Sequence, residues 1–200
     1  MAEALAQRSD EELILACRGA TPEAARALVG ELAARHLERL AGFLSSITGD
    51  PSEALDLAQE AFVRVYRNRE KYREVARFRT WLYTIGRNLA LNELRDRKRR
   101  PRAGPGRPTA DGEEPGAVAL APAEDDGPAE AVAREDLQER VRREIRALPP
   151  HYAAVVVLCD LEERTYAEAA EVLDVPVGTV RSRLSRARER LAQRLRSVLT

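Results

Sequence analysis

The sequence predicts an all-α protein: two small helical domains joined by a flexible linker, the C-terminal one containing a helix-turn-helix. Apolar residues recur at spacings of three and four, and proline and acidic residues mark several helix starts. No alternating run is long enough to indicate a sheet. The 200 residues allow two domains, and 44% hydrophobic with 33% charged residues is typical of a folded, helix-rich chain.

Four helices are expected in the N-terminal domain, residues 1–100. Thr21-Pro22-Glu23 is a start signal for a long helix, and Asp50-Pro51-Ser52-Glu53 is another, with Asp50 as the cap. Gly86 lies inside the fourth helix, where glycine stabilises the helix less than alanine would. Close packing of another helix at this position would explain it, and we therefore predict such packing. The expected helices cover residues 10–18, 21 to 46 or 47, 50 to about 69, and about 78 to 100.

Residues 101–130 predict the flexible linker. They hold 6 of the 11 prolines and 5 of the 11 glycines, no aromatic residue, and an acidic end. Such a stretch cannot bury enough apolar surface to offset the entropy of ordering it. The C-terminal domain, residues 131–200, follows: helices are expected over 130–147 and, after Pro149-Pro150, over 151–161.

The end of the chain predicts a helix-turn-helix. Thr165 and Glu168 have the spacing of a capping box, and Asp174-Val175-Pro176 breaks the first helix. The second helix has an apolar stripe at Val177, Val180, Leu184, Ala187, Leu191 and Leu195, and seven arginines against the single acid Glu189. Such a basic second helix is suited to the DNA major groove. The alternative is a basic surface helix of a bundle.

Charge and the rarer residues limit the possible functions. The net charge of zero conceals a segregation: residues 1–61 carry 11 acids and 5 bases, and residues 62–107 carry 15 bases and 4 acids. Cys17, Cys159, His36 and His151 are isolated from one another, so neither a metal site nor a disulfide framework is expected. No cofactor motif or catalytic constellation is present, which argues against an enzyme. The absence of a signal peptide or long apolar run predicts a cytoplasmic protein that is not membrane-inserted.

A second basic surface is predicted in the N-terminal domain. Six of the nine aromatic residues lie between Phe62 and Tyr83, among basic residues, which suits single-stranded nucleic acid. On the fourth helix one stripe collects a ring, two amides and two guanidiniums: Trp81, Asn88, Asn92, Arg95 and Arg99. The adjacent stripe, Phe78, Leu82, Ile85 and Leu89, is apolar and faces the core. For Phe62, Phe78 and Trp81 the alternative is a core position.

One surface for unpaired strand and one for duplex predict a protein that opens DNA at a site chosen by duplex recognition. The alternative is an autonomous transcriptional regulator that binds an operator without polymerase. A regulator usually carries a ligand pocket or dimer interface in its other domain. The basic-aromatic helix of this chain favours DNA opening instead.

Four motifs stand in order along the chain: DLAQEAFVRVY at residues 56–66, FRTWLYTIGRN at 78–88, Leu148-Pro149, and VGTVRSRL at 177–184. Together they resemble bacterial RNA polymerase sigma factors of the extracytoplasmic-function (ECF) group. The resemblance covers nearly all of both domains. It implies a non-enzymatic subunit, without a cofactor, that binds core RNA polymerase and directs promoter recognition and transcription initiation.

The resemblance also implies the residues that contact DNA. In that family the helix-turn-helix binds the minus-thirty-five element as duplex, and the N-terminal domain captures unpaired bases of the minus-ten element. The implied duplex contacts are Thr179, Arg181, Ser182, Arg183, Ser185, Arg186 and Arg188, with Arg183 and Arg188 on phosphates. The implied minus-ten contacts lie in the loop 70–77 and on the fourth helix: Lys71, Tyr72, Arg79, Trp81, Asn88, Asn92, Arg95 and Arg99.

Asp56, Gln59 and Glu60 occupy about one helical turn, and the resemblance implies that they dock on core polymerase. Without it, Asp56 and Glu60 are ordinary charges near a helix start, where the dipole favours acids. The resemblance further implies an anti-sigma protein as a partner that holds both domains inactive.

Overall fold

The computed structural model describes residues 5–99 and 128–199, and its regular elements are helices, with no β-strand within those residues. The all-α prediction is confirmed. Among the described residues, none of the helices combines the length and apolarity needed to cross a membrane. The α-helices are α1 Asp10–Ala16, α2 Pro22–Thr48, α3 Pro51–Arg67, α4 Phe78–Arg99, α5 Pro128–Arg146, α6 Pro150–Val156, α7 Tyr166–Leu173 and α8 Val177–Leu199.

Side-chain caps set the starts of the N-terminal helices. Ser9 and Glu12 form a capping box at α1, and the Thr21 hydroxyl accepts from the Ala24 N–H at 3.3 Å at α2. At α3, Oδ1 of Asp50 accepts hydrogen bonds from the backbone N–H groups of Ser52 and Glu53, at 3.0 and 3.2 Å. These caps satisfy amides that have no partner within the helix, so the predicted starts of α2 and α3 are confirmed.

Helices α2 and α3 form a hairpin on which α4 packs. The turn is made by Gly49, whose φ of 75° is left-handed and therefore suits glycine. Large side chains fill the space between the helices and are fully buried: Phe43, Leu32, Leu40, Leu44, Phe78, Leu82 and Tyr83. Phe62 and Phe78 are buried, so the core alternative raised for these two rings is confirmed.

A polar network fastens α1 to α2. Asp10 accepts from Arg35 Nη1 at 3.1 Å and lies 2.6 Å from Nε2 of His36, which is itself buried. Burial alone would raise the pKa of Asp10, but the hydrogen bonds and charges of His36 and Arg35 outweigh it and hold the pKa below its usual value. The carboxylate therefore remains ionised where the two helices meet.

The end of α6 differs from the uninterrupted helix expected over 151–161. The last turn, Val157–Leu161, is a π-helix, and the Glu162 N–H donates to the Val157 carbonyl at 2.9 Å. Glu163 follows with a φ of 51°. The wider turn redirects the chain so that Glu162 and Arg164 point inward and are buried.

The predicted linker of residues 101–130 lies outside the described residues, except for its last three. Those three already belong to α5, which begins at Pro128 rather than at residue 130. Within the described residues the two domains are in contact: α4 packs on α7, and α2 packs on α6. The sequence made no prediction of this contact.

Gly86 marks the closest approach of α4 to α2. A Cβ atom placed there would lie 3.0 Å from Cδ1 of Leu40 and 3.3 Å from Cδ2 of Leu44. The close packing predicted from this glycine is confirmed. A Cβ atom placed at Gly30, an exposed residue of α2, would have no neighbouring atom within 4 Å, so a larger side chain is accommodated there.

We expect Gly86→Val to lower the free energy of unfolding by about 1–3 kcal/mol, because the added methyl groups overpack the α2–α4 contact. Gly30→Ala is the matched control: it should raise the same free energy by roughly 0.5–1 kcal/mol by favouring the helix. Urea denaturation followed by circular dichroism measures both. A Gly86→Val protein as stable as the unmodified chain would show that α2 and α4 are not tightly packed.

Candidate functional site

Helix α8 buries one face and presents the opposite face to solvent. Val180, Leu184 and Ala187 are buried against α6 and α7. Four of the predicted duplex contacts are exposed on the other side: Arg181, Ser182, Ser185 and Arg186. At roughly 100° per residue these four side chains cover about 140° of the helix circumference, as one continuous polar face.

The capping box and the helix break that the sequence predicted before α8 are both present in the structure. Thr165 and Glu168 form the capping box at α7, with hydrogen bonds of 3.0 and 3.2 Å between side chains and backbone N–H groups. Asp174 ends α7 in the left-handed region, at a φ of 53°, and α8 begins directly after Pro176. The helix-turn-helix prediction is therefore confirmed.

Neighbouring side chains orient the start of α8. The guanidinium carbon of Arg181 lies 5.8 Å from the ring centroid of Tyr166, an exposed ring on α7. The Ser182 hydroxyl donates to the carbonyl of Thr179 at 3.1 Å.

Burial lowers the pKa of His151, and the charges of Arg183 and Arg190 lower it further. The surroundings of α8 are thus electropositive.

Arg188 is engaged within its own domain. Its Nε and Nη2 atoms donate to the two carboxylate oxygens of Asp160, at 3.1 and 2.5 Å. This hydrogen bond and the charge of Asp160 raise the pKa of Arg188. The bidentate pair fixes α8 to the π-helical turn, so Arg188 would have to leave Asp160 to hold a phosphate directly.

Helix α4 carries the predicted single-strand stripe on its exposed side. Asn88, Asn92, Arg95 and Arg99 are exposed, and Arg95 Nη1 donates to Oδ1 of Asn92 at 3.0 Å. Trp81 is half-buried: its ring packs 5.3 Å from that of Tyr72 and 6.4 Å from that of Phe78, between centroids. One edge of the tryptophan therefore belongs to the core, while part of the ring still reaches the surface.

Two predicted minus-ten contacts are not free on the surface. Tyr72 is 2% exposed, its hydroxyl donates to the Ala76 carbonyl at 3.0 Å, and burial raises its pKa to about 12. Its ring is therefore a support for Trp81 and is not presented to a strand in this structure. Arg79 is half-buried and ion-paired to Glu162 of the other domain. Lys71, by contrast, is exposed.

Helix α3 presents the predicted polymerase surface opposite to its buried face. Asp56 and Gln59 are exposed, and Glu60 is half-exposed and pairs with Arg64 at 3.1 Å. Sequence reasoning missed Val63, which is 40% exposed one turn further along the same stripe. The available signal was the helical spacing, since Gln59, Glu60 and Val63 lie three, four and seven residues after Asp56 and therefore share its face. Val63 therefore adds an exposed apolar side chain at the C-terminal end of this polar stripe.

Among the side chains that the structure describes, residues 5–99 and 137–196, no group of three or more histidine, cysteine, aspartate and glutamate residues is arranged to hold a metal ion. Cys17 is buried and Cys159 is half-buried, and burial raises the pKa of both thiols to about 11. Neither thiol is therefore activated at neutral pH.

Comparison with known families identifies both domains. The family profile Sigma-70 region 2 matches residues 32–100, and Sigma-70, region 4 matches residues 138–191. The first match contains α3, α4 and most of α2, and the second contains the helix-turn-helix. Trp81 and its stripe on α4 thus lie in the first matched region, and the exposed face of α8 with Arg181 lies in the second.

Curated proteins match along most of the chain. The RNA polymerase sigma-H factor of Pseudomonas aeruginosa is 34% identical over 197 residues, which is 98% of each chain. The ECF RNA polymerase sigma factor SigW of Bacillus subtilis is 36% identical over 75% of this chain and 79% of its own. The ECF RNA polymerase sigma-E factor of Escherichia coli is 33% identical over 84% of this chain and 86% of its own.

Two solved structures share the fold at 25% identity and a TM-score of 0.61. One is CnrH in complex with the cytosolic domain of CnrY, covering 95% of this chain and 99% of that one. The other is the sigma factor RpoE in complex with the anti-sigma factor NepR from Bartonella quintana, covering 84% and 96%. The chain therefore belongs to the ECF sigma factors, non-enzymatic subunits that bind core RNA polymerase and direct promoter recognition and transcription initiation.

Proposed function

We propose that this sigma factor divides its work between three surfaces: α8 for the minus-thirty-five duplex, α4 for the unpaired minus-ten strand, and α3 for core polymerase. The observation that carries the proposal is the polar face of α8, which points away from the core of the domain. Arg181 and Arg186 on that face can each reach a base edge, and arginine is suited to the two acceptors of guanine.

Arg183 and Arg188 lie at either side of this polar face, as the helical period places them. We assign them to the phosphates that border the groove. Arg188 would leave Asp160 to make this contact, and Thr179 at the start of α8 adds a hydroxyl. These contacts position the helix and carry no sequence information.

The minus-ten strand is proposed to follow the exposed stripe of α4. Trp81 offers a ring for stacking, Asn88 and Asn92 offer amides to base edges, and Arg95 and Arg99 meet the backbone. Lys71 adds positive charge before α4 begins, and Arg79 adds it in the first turn of α4. Tyr72 takes no part in direct contact and holds the tryptophan ring in place.

The polymerase surface is proposed to consist of Asp56, Gln59, Glu60 and the exposed Val63. Its polar groups fix the orientation and its valine supplies apolar contact. The chain acts in the cytoplasm, where core polymerase is found. An anti-sigma protein is a further proposed partner, supported by the related sigma factor RpoE, whose structure was solved in complex with the anti-sigma factor NepR.

Run-off transcription with core RNA polymerase and a promoter library tests the proposal, with the transcripts sequenced. We expect polymerase-dependent initiation from templates that share two spaced elements. DNA binding without polymerase, together with no stimulated initiation, would instead support an autonomous helix-turn-helix regulator that binds an operator.

Arg181→Ala or Arg186→Ala should weaken binding at the cognate minus-thirty-five element by about 1–3 kcal/mol, because each removes a base-reading guanidinium. The affinity of the holoenzyme for matched and scrambled elements measures the effect. Arg39→Ala, which removes an exposed arginine of α2, is the control and should change neither. Equal weakening on every sequence would reassign the residue to phosphate contact.

Asp56→Arg should weaken binding to core polymerase at least about ten-fold, because it places a cation where a carboxylate is required. Glu38→Arg makes the same charge change on the exposed side of α2 and should bind normally. Fluorescence anisotropy of labelled chain titrated with core polymerase gives both affinities, and circular dichroism checks the fold. Normal assembly by Asp56→Arg would remove Asp56 from the polymerase surface.

A further inference from the structure

The start of α4 is capped by a residue that lies far away in the chain. The Phe78 N–H donates to Oε1 of Glu11, on α1, at 3.1 Å. The residue before α4 is Arg77, whose side chain carries donors and no acceptor and so cannot cap the first amides of the helix. A carboxylate at a helix start also faces the positive end of the helix dipole. Glu11 therefore supplies the acceptor that the local sequence lacks.

The turn after α1 contacts the other end of the loop 70–77. The Gly19 N–H donates to Oε1 of Glu70 at 3.0 Å, and the carbonyl of Cys17 accepts from Nε of Arg69 at 3.2 Å. Gly19 has a φ of 66°, a left-handed conformation that suits glycine. Helix α1 and this turn therefore contact the chain both where the loop begins and where it ends.

Helix α1 is itself fixed on α2 and does not depend on the loop for its position. Asp10 contacts Arg35 and His36 of α2, and two apolar side chains of α1 are fully buried. Asp10 and Glu11 are consecutive, so their side chains leave the helix roughly 100° apart. The first carboxylate contacts α2 and the second contacts the start of α4, which links the loop to the packed hairpin of the domain.

The loop 70–77 has few contacts of its own. Tyr72 is its buried residue, and the Tyr72 ring packs against that of Trp81. Residues 73–75 are exposed, and the side chain of Val75 is 94% exposed. A segment with so few buried contacts takes its position largely from what holds its two ends.

We propose that α1 is a brace that holds the loop 70–77 and the start of α4 in the geometry that receives the unpaired minus-ten strand, with Glu11 as its positioning residue. The inference rests on the proposed minus-ten function of that loop and of α4. Glu11 acts through the Phe78 N–H, one helical turn before Trp81. Without this hydrogen bond the loop samples more arrangements, and the strand must then order it on binding, which lowers the affinity.

Binding of the holoenzyme to a labelled single strand tests the brace. The strand carries the minus-ten element found by run-off sequencing, and fluorescence anisotropy gives its affinity. We expect Glu11→Ala to weaken this binding roughly three- to ten-fold, as for the loss of a helix cap. Glu11→Gln keeps an oxygen that accepts from the Phe78 N–H, so it should restore the affinity to within about two-fold. Glu38→Ala, on the exposed side of α2, is the control and should change nothing.

A merely structural role for Glu11 would weaken every interaction of the protein alike. The affinities for a minus-thirty-five duplex and for core polymerase are therefore measured in parallel, and Glu11→Ala should leave both unchanged. Normal strand binding by a folded Glu11→Ala chain would overturn the brace. Equal weakening of strand, duplex and polymerase binding would overturn it as well, and so would a failure of Glu11→Gln to restore strand binding.

Glu70→Ala tests the other end of the loop, in case Glu11→Ala disturbs the packing of α1. Glu70 is exposed, so its truncation leaves the core intact while it removes the acceptor of the Gly19 N–H. It should also weaken strand binding, and Glu70→Gln should restore it. If Glu11→Ala does not fold, normal strand binding by Glu70→Ala overturns the brace in its place.

Hydrogen exchange separates the failure of the brace from the failure of the proposed function. In the Glu11→Ala chain, the amides of residues 70–82 should exchange faster, on the order of ten-fold, and those of α8 should not change. If they do so but the unmodified holoenzyme does not prefer the minus-ten strand to a scrambled one, the brace is supported and the minus-ten function is rejected. If exchange and strand affinity stay unchanged while that preference is present, the brace is wrong and the proposed function stands.

Discussion

Helix α4 packs closely against α2 at Gly86, where an added Cβ atom would meet methyl groups of Leu40 and Leu44 at 3.0 and 3.3 Å and force them to shift. The other surfaces of the N-terminal domain follow from this contact. It fixes the rotation of α4, so the face bearing Phe78 points into the core and the stripe of Asn88 and Arg95 points to solvent. Because a helix has one rotation only, the same packing also aims Arg79 and Tyr83 of α4 at the other domain.

The rotation of α8 is also set by burial of its apolar face, but the contacts that set it lie within its own domain. Burial of Val180 and Leu184 sets the rotation of the helix, and the Thr165–Glu168 capping box and the left-handed Asp174 set its direction. The apolar face contributes the stability, and the polar face opposite is exposed and is the one that we propose for DNA. The apolar side chains of α8 thereby hold its polar side chains in register.

The contact between the domains is of a different kind. It combines the packing of α2 on α6 with ion pairs between the domains, such as Arg79–Glu162, and the buried Arg164 has N–H groups without a hydrogen-bond partner among the described residues. An ion pair requires one relative placement of its two partners, so Arg79–Glu162 favours a single arrangement of the two domains more than it adds stability.

The sequence by itself determined most of the helices, their caps and the two faces that we propose for DNA, because period, capping residues and charge are local properties that tertiary packing largely leaves in place here. It also gave the family, through four ordered motifs. It assigned Tyr72 to the DNA surface, because an aromatic residue in a basic segment has the same local sequence pattern whether its ring is buried or exposed. Only the tertiary structure decided that Tyr72 is buried, that Val63 is exposed, and that Arg79 meets Glu162. Those outcomes depend on which residues distant in the chain become neighbours, and no local pattern encodes that.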